Sequence, residues 1–404
     1  MKKSIWILGC VLLLLLLPST ALAAADDQNN DSYHDGDVAV VNNIIDNNGL
    51  QAAKDAPESW DFVVWDENEP KRIAALDLCR RNLSGTLDVS GLAQLVYLSC
   101  YKNQLTGLRV EDVPNLECLY CWKNQLKELK VKDLPKLRDI QCSGNQLTTL
   151  EAINLPKLQQ FLCGDNQLKQ IKTDGLDSLW SFSCGHNQLT ELPELSDNVQ
   201  QLDCFDNPLK ALDLEKYPVL VSLDCTNCQL TELDLSGVPK LKFLYCSDNQ
   251  LTVLDLSNQE NLCEIEAENN PLAKGVLHGK ELILQVESKN VIVDGMVYTT
   301  DAAPIMVNNR VMVPIRTVTE AFNGKAEWNE TAQRVTLCFD DRAITMTIGS
   351  TRACVETTME KDVELDVAPL IRDGRTYVPI RFVAEALDAQ VQWSGEEKTI
   401  LITK

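Results

Sequence analysis

The sequence predicts an α/β-type repeat solenoid with a parallel concave sheet, followed by a duplicated α+β domain. Two observations lead to this prediction. A cysteine and an asparagine, three residues apart, recur every 21 residues through the middle of the chain, with one spacing of 20. A second repeat, with an offset of 65 residues, occupies the C-terminal part. A strict period of about 20 residues is typical of a solenoid, because each turn then packs only on its neighbours.

The first 25 residues have the features of a secretory signal peptide. Two lysines precede an apolar run at 11–17, and small residues form a cleavage site that ends at Ala23. We expect cleavage after Ala23, a secreted or cell-surface location and no transmembrane span in the mature chain, since no later apolar run is long enough. Residues 26–37 are polar and acidic, as expected of a linker.

A typical turn of the repeat predicts where its side chains point. A representative turn reads Leu116-x-x-Leu119-x-Cys121-x-x-Asn124-x-Leu126-x-x-Leu129-x-Val131. Because residues two apart share one face of a strand, Leu119 and Cys121 should both face the core. Asn124 should end the strand and bond backbone groups that the turn leaves unpaired. We expect Leu129 and Val131 to form a second extended segment on the convex side.

The same two positions recur as structural columns of the solenoid. The repeating cysteines are Cys79, Cys100, Cys121, Cys142, Cys163, Cys184, Cys204, Cys225 and Cys246. The repeating asparagines are Asn82, Asn103, Asn124, Asn145, Asn166, Asn187, Asn207, Asn249 and Asn270. Neighbouring parallel strands lie ~4.8 Å apart, whereas the Cβ atoms of a disulfide lie ~3.8 Å apart. We therefore predict that most of the fifteen cysteines are free thiols, packed as small apolar side chains.

These residues match the pattern L-x-x-L-x-L-x-x-N-x-L, and the segment resembles the leucine-rich repeat family, with cysteine in place of the third leucine. The resemblance covers residues 73–277 in ten turns. Cys228 replaces the asparagine in one turn, and Ala267 replaces the cysteine in the last. The family implies a curved solenoid with a parallel sheet on its concave face. Residues 38–72, which contain several apolar side chains, are expected to cap the first turn.

The outward side chains of the concave strands form the candidate binding surface. The aromatic residues predicted to bind a ligand are Tyr97, Tyr101, Tyr120, Trp122, Phe205 and Tyr245. Aromatic side chains gathered on an exposed surface favour binding of an extracellular protein, a peptide or a cell-wall glycan. Two alternatives remain open: the cap or a loop covers these rings, or they are scattered surface aromatics.

A second repeat begins at residue 291. Its motif is Val-Pro-Ile-Arg, followed by Glu-Ala and then Trp, and it occurs twice. Proline is tolerated at the start of a helix, so each copy predicts a strand that runs into a helix. An arginine and a glutamate then lie four apart on one helical face, where we expect a structural pair. The residues of the two pairs are Arg316, Glu320, Arg381 and Glu385.

This duplicated segment, residues 291–404, resembles the copper amine oxidase N-terminal domain. The resemblance implies a stalk-like or surface-associating module rather than an oxidase. Copper prefers imidazole ligands, and the three histidines of the chain lie outside this segment. Residues 278–290 are expected to be a linker between the two domains.

The composition argues against several functional classes. A net charge of −22 disfavours a nucleic-acid-binding protein, because such proteins need basic patches. The sequence contains no P-loop, no zinc-protease helix motif and no nucleophile elbow. We therefore expect no catalytic residues, no metal site and no cofactor.

These features together predict a non-catalytic, secreted or cell-surface bacterial protein. Its concave face would bind a protein, peptide or glycan partner, and its C-terminal domain would associate with the cell envelope. In one alternative the solenoid is a structural spacer and the C-terminal domain carries the binding. In another the chain is an accessory of a cell-wall-associated enzyme. The sequence makes no prediction of the oligomeric state.

Overall fold

The computed structural model describes residues 32–272, 281–339, 342–357, 360–395 and 398–403. The expected signal peptide and the first residues of the expected linker lie outside the described residues. The described chain forms a solenoid of short parallel strands, with a helical cap at its N-terminal end and a mainly antiparallel domain at its C-terminal end.

The cap shares its apolar core with the solenoid. Its elements are helix α1 (Asp35–Asn48), a 3-10 turn (Pro57–Ser59) and strand β1 (Val63–Trp65). Helix α1 ends at Gly49, whose φ of 77° lies in the left-handed region that glycine adopts without steric cost. Val41 and Ile44 are buried on the helix and pack in the same cluster as the first solenoid turns.

Helix α1 begins inside the segment 26–37 that the sequence indicates as a linker, so the linker prediction is wrong for residues 35–37. Asp37 is only 1% exposed. Its carboxylate accepts hydrogen bonds from the Arg72 guanidinium at 2.9 and 3.0 Å and from the backbone N–H of Ile73 at 2.8 Å. Because these partners come from a distant part of the chain, the local acidic composition gives no sign of them.

In the described part of the chain, eleven strands form the main sheet, which occupies the position of the predicted concave face. They are β1, β2 (Ile73–Asp77), β4 (Tyr97–Ser99), β6 (Cys118–Tyr120), β8 (Asp139–Gln141), β10 (Gln160–Leu162), β12 (Ser181–Ser183), β13 (Gln201–Asp203), β14 (Ser222–Asp224), β15 (Phe243–Tyr245) and β16 (Glu264–Glu266). They pair in that order, with β1 antiparallel to β2 and the others parallel. The pairing aligns Leu98 with Leu119 and Leu119 with Ile140, so equivalent repeat positions form columns across the sheet. The predicted parallel-sheet solenoid is therefore confirmed.

Short strands also line the opposite side of the first turns. They are β3 (Ser84–Asp88), β5 (Gln104–Arg109), β7 (Glu128–Lys132), β9 (Thr149–Ile153) and β11 (Lys172–Asp174). Strand β3 pairs with β5, and β9 pairs with β7 and β11, all in parallel. Leu129 and Val131 are buried in β7, as their spacing predicts for a second extended segment.

The repeating asparagines join successive turns through their side chains, as the sequence predicts. The Nδ2 group of Asn124 donates to the carbonyl oxygens of Cys100 and Cys121, both at 3.0 Å, and its Oδ1 accepts the N–H of Leu105 at 3.1 Å. Each amide thus pairs backbone groups of its own turn and of the preceding turn. Equivalent bonds are made by Asn103, Asn145, Asn166, Asn187, Asn207, Asn249 and Asn270. Asn82, by contrast, is exposed in the first turn.

The cysteine column lies in the core beside these amides. The cysteines of the described residues are free thiols. Fully buried members of the column are Cys100, Cys121, Cys142, Cys163, Cys184, Cys204, Cys225 and Cys246, whereas Cys79 is half-buried. Burial raises the pKa of Cys121 to about 12, so this thiol stays protonated and unreactive at neutral pH.

Within its described residues, the C-terminal domain contains three sheets and two short helices. Its elements are β17 (Glu281–Gln285), β18 (Asn290–Val293), β19 (Met296–Thr299), β20 (Ile305–Val307), β21 (Arg310–Pro314), α2 (Ile315–Ala321), β22 (Lys325–Asn329), β23 (Arg334–Cys338), β24 (Ala343–Thr347), β25 (Arg352–Glu356), β26 (Glu360–Glu364), β27 (Leu370–Arg372), β28 (Arg375–Pro379), α3 (Ile380–Ala386), β29 (Gln390–Ser394) and β30 (Thr399–Thr403). The antiparallel sheets have the strand orders β19-β18-β17-β30-β29, β20-β21-β28-β27 and β22-β23-β24-β25-β26. The succession β21-α2-β22-β23 recurs as β28-α3-β29-β30, which is the predicted duplication.

Residues 278–290 are not a linker throughout, contrary to the sequence-based expectation. Strand β17 lies within this range and pairs with both β18 and the last strand, β30, placing Leu282 opposite Ile402. Leu282 and Leu284 are buried in the core of the C-terminal domain. The prediction was wrong because the main partner of β17 stands at the far end of the chain, where local composition gives no signal.

The C-terminal domain packs directly on the last part of the solenoid. The backbone N–H of Leu256 donates to the carbonyl of Gly295 at 2.7 Å, and that of Val297 donates to Leu254 at 3.1 Å. Val297 is 3% exposed and belongs to the apolar core of the solenoid. The two parts therefore share both backbone hydrogen bonds and apolar packing.

Candidate binding surface on the main sheet

Four aromatic side chains cluster on the outer face of the first solenoid turns. Tyr97 and Tyr120 project from β4 and β6 with their ring centroids 5.5 Å apart in an edge-to-face arrangement. Tyr101 and Trp122 follow the same strands and stack at 4.3 Å, with 9° between their planes. All four are half-buried, so part of each ring is open to solvent. We call these four residues the aromatic patch.

Three cationic side chains surround the stacked pair. The guanidinium carbon of Arg80 lies 5.9 Å from the ring centroid of Tyr101, and the ammonium groups of Lys102 and Lys123 lie 4.8 and 5.5 Å from that of Trp122. These distances fit cation–π contacts. Partial desolvation and the nearby Arg80 and Lys123 lower the pKa of Lys102. Our sequence reasoning missed these cations, although a lysine follows the aromatic residue in both turns.

A buried carboxylate supports the patch from the next strand. Asp139 is 4% exposed, and its Oδ2 accepts hydrogen bonds from the Tyr120 hydroxyl at 2.8 Å and from Gln141 Nε2 at 3.2 Å. Burial raises the pKa of Asp139, although these two hydrogen bonds stabilise its charged form. On β4, burial likewise raises the pKa of the Tyr97 hydroxyl to about 12. The hydroxyl of Tyr120 is thus fixed, and its ring is held in place on the sheet.

The other two predicted aromatic residues do not join the patch. Phe205 follows β13, four strands along the main sheet from Trp122, which is ~19 Å at the usual strand spacing. Its ring covers Gly185, where an added Cβ would lie 2.4 Å from the ring. Tyr245 lies still further along, in β15, where burial and the nearby Glu264 raise its pKa to about 12. The predicted set therefore separates into one cluster of four and two rings that lie outside it, of which Phe205 packs edge-to-face on His186 at 4.9 Å.

The far end of the same face is acidic. Asp203 and Asp224 are direct neighbours on β13 and β14. Burial and the charge of Asp224 raise the pKa of Asp203 to about 6, and burial also raises the pKa of Asp224. Glu264 and Glu266 are exposed on β16. The outer face of the sheet thus changes from aromatic and basic at its N-terminal end to acidic at its C-terminal end.

The predicted pairs of the C-terminal domain have different surroundings in the two copies. Arg316 forms an ion pair with Asp301 at 2.7 Å rather than with Glu320. Burial raises the pKa of Glu320, and the charge of Arg316 opposes this effect. In the second copy Arg381 and Glu385 are both exposed, and neither forms an ion pair within the described part of the chain. The i, i+4 spacing therefore places these residues on one helical face but does not bring their charges into contact.

Among the residues described, no group of three or more His, Cys, Asp or Glu side chains is arranged to hold a metal ion. Over the same part of the chain, no helix has the length and apolar character needed to cross a membrane.

Comparisons with known proteins find matches for both parts of the chain. A family model described as the copper amine oxidase N-terminal domain matches residues 273–337 and 292–402. YopM from Yersinia enterocolitica WA-314 is 30% identical, with a TM-score of 0.44, and the match covers 50% of this chain and 48% of that chain. The functional domain of InlJ from Listeria monocytogenes, described as including a cysteine ladder, is 19% identical with a TM-score of 0.25, over 68% of this chain and 87% of that chain. The leucine-rich repeat ectodomain of a plant membrane receptor kinase from Arabidopsis thaliana, in complex with Casparian strip integrity factor 2, is 17% identical with a TM-score of 0.31, over 60% and 44% of the two chains.

Both resemblances predicted from the sequence are thus found: leucine-rich repeat proteins are among the structural neighbours, and the C-terminal part matches the copper amine oxidase N-terminal domain. The match spans about half the length of the YopM chain. No curated protein matches this sequence.

Proposed function

We propose that this chain is a non-catalytic, secreted or cell-surface protein that binds an extracellular protein or peptide on the concave face of its solenoid. The C-terminal domain, in this proposal, associates with the cell envelope. The signal-peptide features of the first 25 residues support the proposed location. The resemblance of the C-terminal domain to a surface-associating module supports the proposed envelope role.

The aromatic patch with its cations is the observation that carries this proposal. Tyrosine, tryptophan and arginine dominate the binding energy of protein interfaces, because each combines a large contact area with a polar group. The patch is anchored by the Tyr120–Asp139 hydrogen bond and by the Tyr101–Trp122 stack. A surface that is ordered before binding loses little conformational entropy when a partner docks.

The charge distribution indicates how a partner would be oriented. Lys102 and Lys123 favour an acidic segment of the partner at the aromatic end of the sheet, whereas Glu264 and Glu266 favour a basic segment at the opposite end. Complementary charges steer association and fix the orientation of a docked partner. We therefore expect binding to weaken as salt concentration rises.

A cell-wall glycan is the second candidate partner. The observation that favours it is the half-exposed stack of Tyr101 and Trp122, because aromatic side chains offer apolar contact area to the C–H groups of a sugar ring. The same substitutions test both candidates.

The experiment is co-sedimentation of the full mature chain with cell walls of the organism that produces it, titrated to an apparent affinity so that the contribution of the concave face is measured in addition to that of the C-terminal domain. Trp122→Ala and Tyr101→Ala should weaken binding by about tenfold, the scale of an interface hot spot, without lowering the melting temperature. Trp180→Ala is the matched control, because Trp180 is a half-buried tryptophan of the solenoid that does not belong to the aromatic patch.

Pretreatment of the walls separates the candidates. Loss of binding after protease treatment supports a protein partner, and loss only after glycan hydrolysis supports the glycan. If both patch variants sediment as the unaltered chain does, the concave face is not the binding surface. In that case the solenoid is better described as a spacer.

A further inference from the structure

We propose, building on the function above, that the segment of the partner that docks on the aromatic patch is an extended peptide in which acidic and aromatic residues alternate. The observation that carries this proposal is a column of three cations beside the patch: Arg80, Lys102 and Lys123. Each directly follows the outward residue at the end of its strand and lies in the tight turn there, with φ values of 56°, 55° and 56°. We call these three residues the cation column.

The cation column is in register from turn to turn. The backbone N–H groups of its members donate to the carbonyls of Tyr101, Trp122 and Ser143, at 3.1, 2.9 and 2.9 Å. The column therefore repeats once per turn, at the ~4.8 Å spacing of parallel strands. Like charges at this spacing repel one another. Consistent with this, partial desolvation and the charges of the two flanking members lower the pKa of Lys102.

The column has no counter-charge within the described residues, where none of its members forms an ion pair. A neighbouring cation does have one, because the guanidinium of Arg81 pairs with Asp61 at 3.0 Å. The carboxylate of Asp77, in the first turn, accepts the backbone N–H of Cys79 at 3.2 Å and pairs with no cation in the same part of the chain. In a chain with a net charge of −22, the column is thus a local positive region open to an external anion.

The same position of the repeat is internally paired further along the solenoid. His186 Nδ1 lies 2.9 Å from Asp206 Oδ2, and Asn227 Nδ2 donates to Asp206 Oδ1 at 2.6 Å. Asn269 Nδ2 likewise donates to Asp248 Oδ1 at 2.7 Å. The cation column differs, since its members have aromatic rings rather than carboxylates as neighbours. An anion supplied by a partner would complete the pattern.

The arrangement of cations and rings favours an extended peptide lying between them. The column borders one side of this path, and the Tyr101–Trp122 stack borders the other. In an extended chain successive side chains point to opposite sides, and residues two apart are separated by ~6.7 Å. Two carboxylates at such positions reach a column that spans ~10 Å, while the ring between them packs on the stack. A phosphodiester polymer would satisfy the cations but leave the rings without an apolar partner.

The test is fluorescence anisotropy of the full mature chain at low salt, with a labelled, capped peptide of the sequence Glu-Phe-Glu-Phe-Glu. We expect a Kd of about 1 mM or tighter. The block-order peptide Glu-Glu-Glu-Phe-Phe has the same composition and should bind a few fold more weakly, because it cannot place acids and rings on opposite sides. The uncharged peptide Gln-Phe-Gln-Phe-Gln should bind about tenfold more weakly.

Variants of the column give a second readout. The glutamine variant, Arg80→Gln with Lys102→Gln and Lys123→Gln, should weaken binding of the alternating peptide by about tenfold, since it removes three cations that the peptide would pair with. Lys102→Arg with Lys123→Arg keeps the charges and should bind as the unaltered chain does. The matched control has the same change in net charge and replaces with glutamine three exposed lysines of the solenoid that lie outside the column: Lys127, Lys136 and Lys157.

Four results would each overturn the proposal: no binding of the alternating peptide, equal binding of the block-order peptide, unchanged affinity in the glutamine variant, or tighter binding of inorganic polyphosphate than of the peptide. These results are distinct from those of the wall experiment. If Trp122→Ala weakens wall binding while the glutamine variant sediments as the unaltered chain does, the concave face binds a partner but the docking segment is not acidic.

Discussion

Replacement of Asn145 by alanine gives the most direct test of how the solenoid is held together. Asn145 is 8% exposed. Its Nδ2 group donates to the carbonyl oxygens of Cys121 and Cys142 at 3.1 and 2.9 Å, and its Oδ1 accepts the N–H of Leu126 at 3.1 Å. The alanine variant loses all three hydrogen bonds.

The three losses differ in size because the partners differ in their remaining bonds. The carbonyl of Cys121 also accepts a bond from Asn124, and that of Cys142 also accepts one from Asn166, so each carbonyl keeps a partner. A net hydrogen bond contributes about 1 kcal/mol, whereas an orphaned buried donor costs about 1–3 kcal/mol. With the N–H of Leu126 left unpaired, we expect the free energy of unfolding to fall by about 3 kcal/mol in total.

Urea unfolding followed by circular dichroism measures this change, with the slope of the transition fitted separately for each variant. Gln146→Ala is the matched control: it removes an adjacent but exposed amide and should change the free energy by less than about 0.5 kcal/mol. A loss of less than about 1 kcal/mol in Asn145→Ala would refute the reasoning, since it would mean that the amide bonds are replaced at no cost.

Three further predictions concern charge, the junction and the thiols. The pKa of Asp203 is raised to about 6, so the native state binds a proton at this carboxylate more tightly than the unfolded chain does. The free energy of unfolding therefore falls as the pH rises from about 4 to about 6. Asp203→Asn should remove that dependence and stabilise the protein at pH 7 by up to about 3 kcal/mol, at about 1.4 kcal/mol per pH unit, in urea titrations at several pH values. Gly295→Ala should destabilise the chain by more than about 1 kcal/mol, as a lowered melting temperature, because Gly295 has a φ of 82° and an added Cβ would lie 2.7 Å from Ser257 Cα. Alkylation without reductant should modify Cys263 in the native state but reach the buried cysteine column only in denaturant, and mass spectrometry that finds these buried sites disulfide-bonded would contradict the free-thiol prediction.

The solenoid was predictable because its rules are local. Leucine and cysteine two apart alternate with outward positions in every turn, so one turn is enough to infer which side chains are buried. Asn124 illustrates the same point, since its partners lie either three residues before it or one repeat away. In a repeat protein, contacts between residues far apart in sequence can be predicted, because a residue packs against the residue at the equivalent position of the next repeat.

The junction was not predictable by the same reasoning. Strand β17 pairs with β30, and nothing in the sequence around 281–285 identifies a partner at the opposite end of the domain. Arg316 is similar, because its ion pair with Asp301 depends on a turn outside its own helix. The positions of Lys102 and Lys123 beside the aromatic patch could have been predicted, because each lysine directly follows an aromatic residue at the same repeat position. Their φ values of 55° and 56° belong to the tight turn after each strand.

The turn that lacks asparagine shows that the repeat conserves paired backbone groups rather than a residue type. Cys228 stands in the asparagine position, and its thiol donates to the carbonyl of Cys204 at 3.3 Å. A thiol offers no strong acceptor for the leucine N–H of the preceding turn. That N–H, on Leu209, instead donates to the carbonyl of Asn207 at 2.9 Å, across Pro208. Gln125 precedes Leu126 where Pro208 precedes Leu209, and the N–H of Leu126 donates to Asn145 Oδ1 instead of to a local carbonyl. Replacement of Asn145 by alanine therefore leaves this N–H without its hydrogen-bond partner.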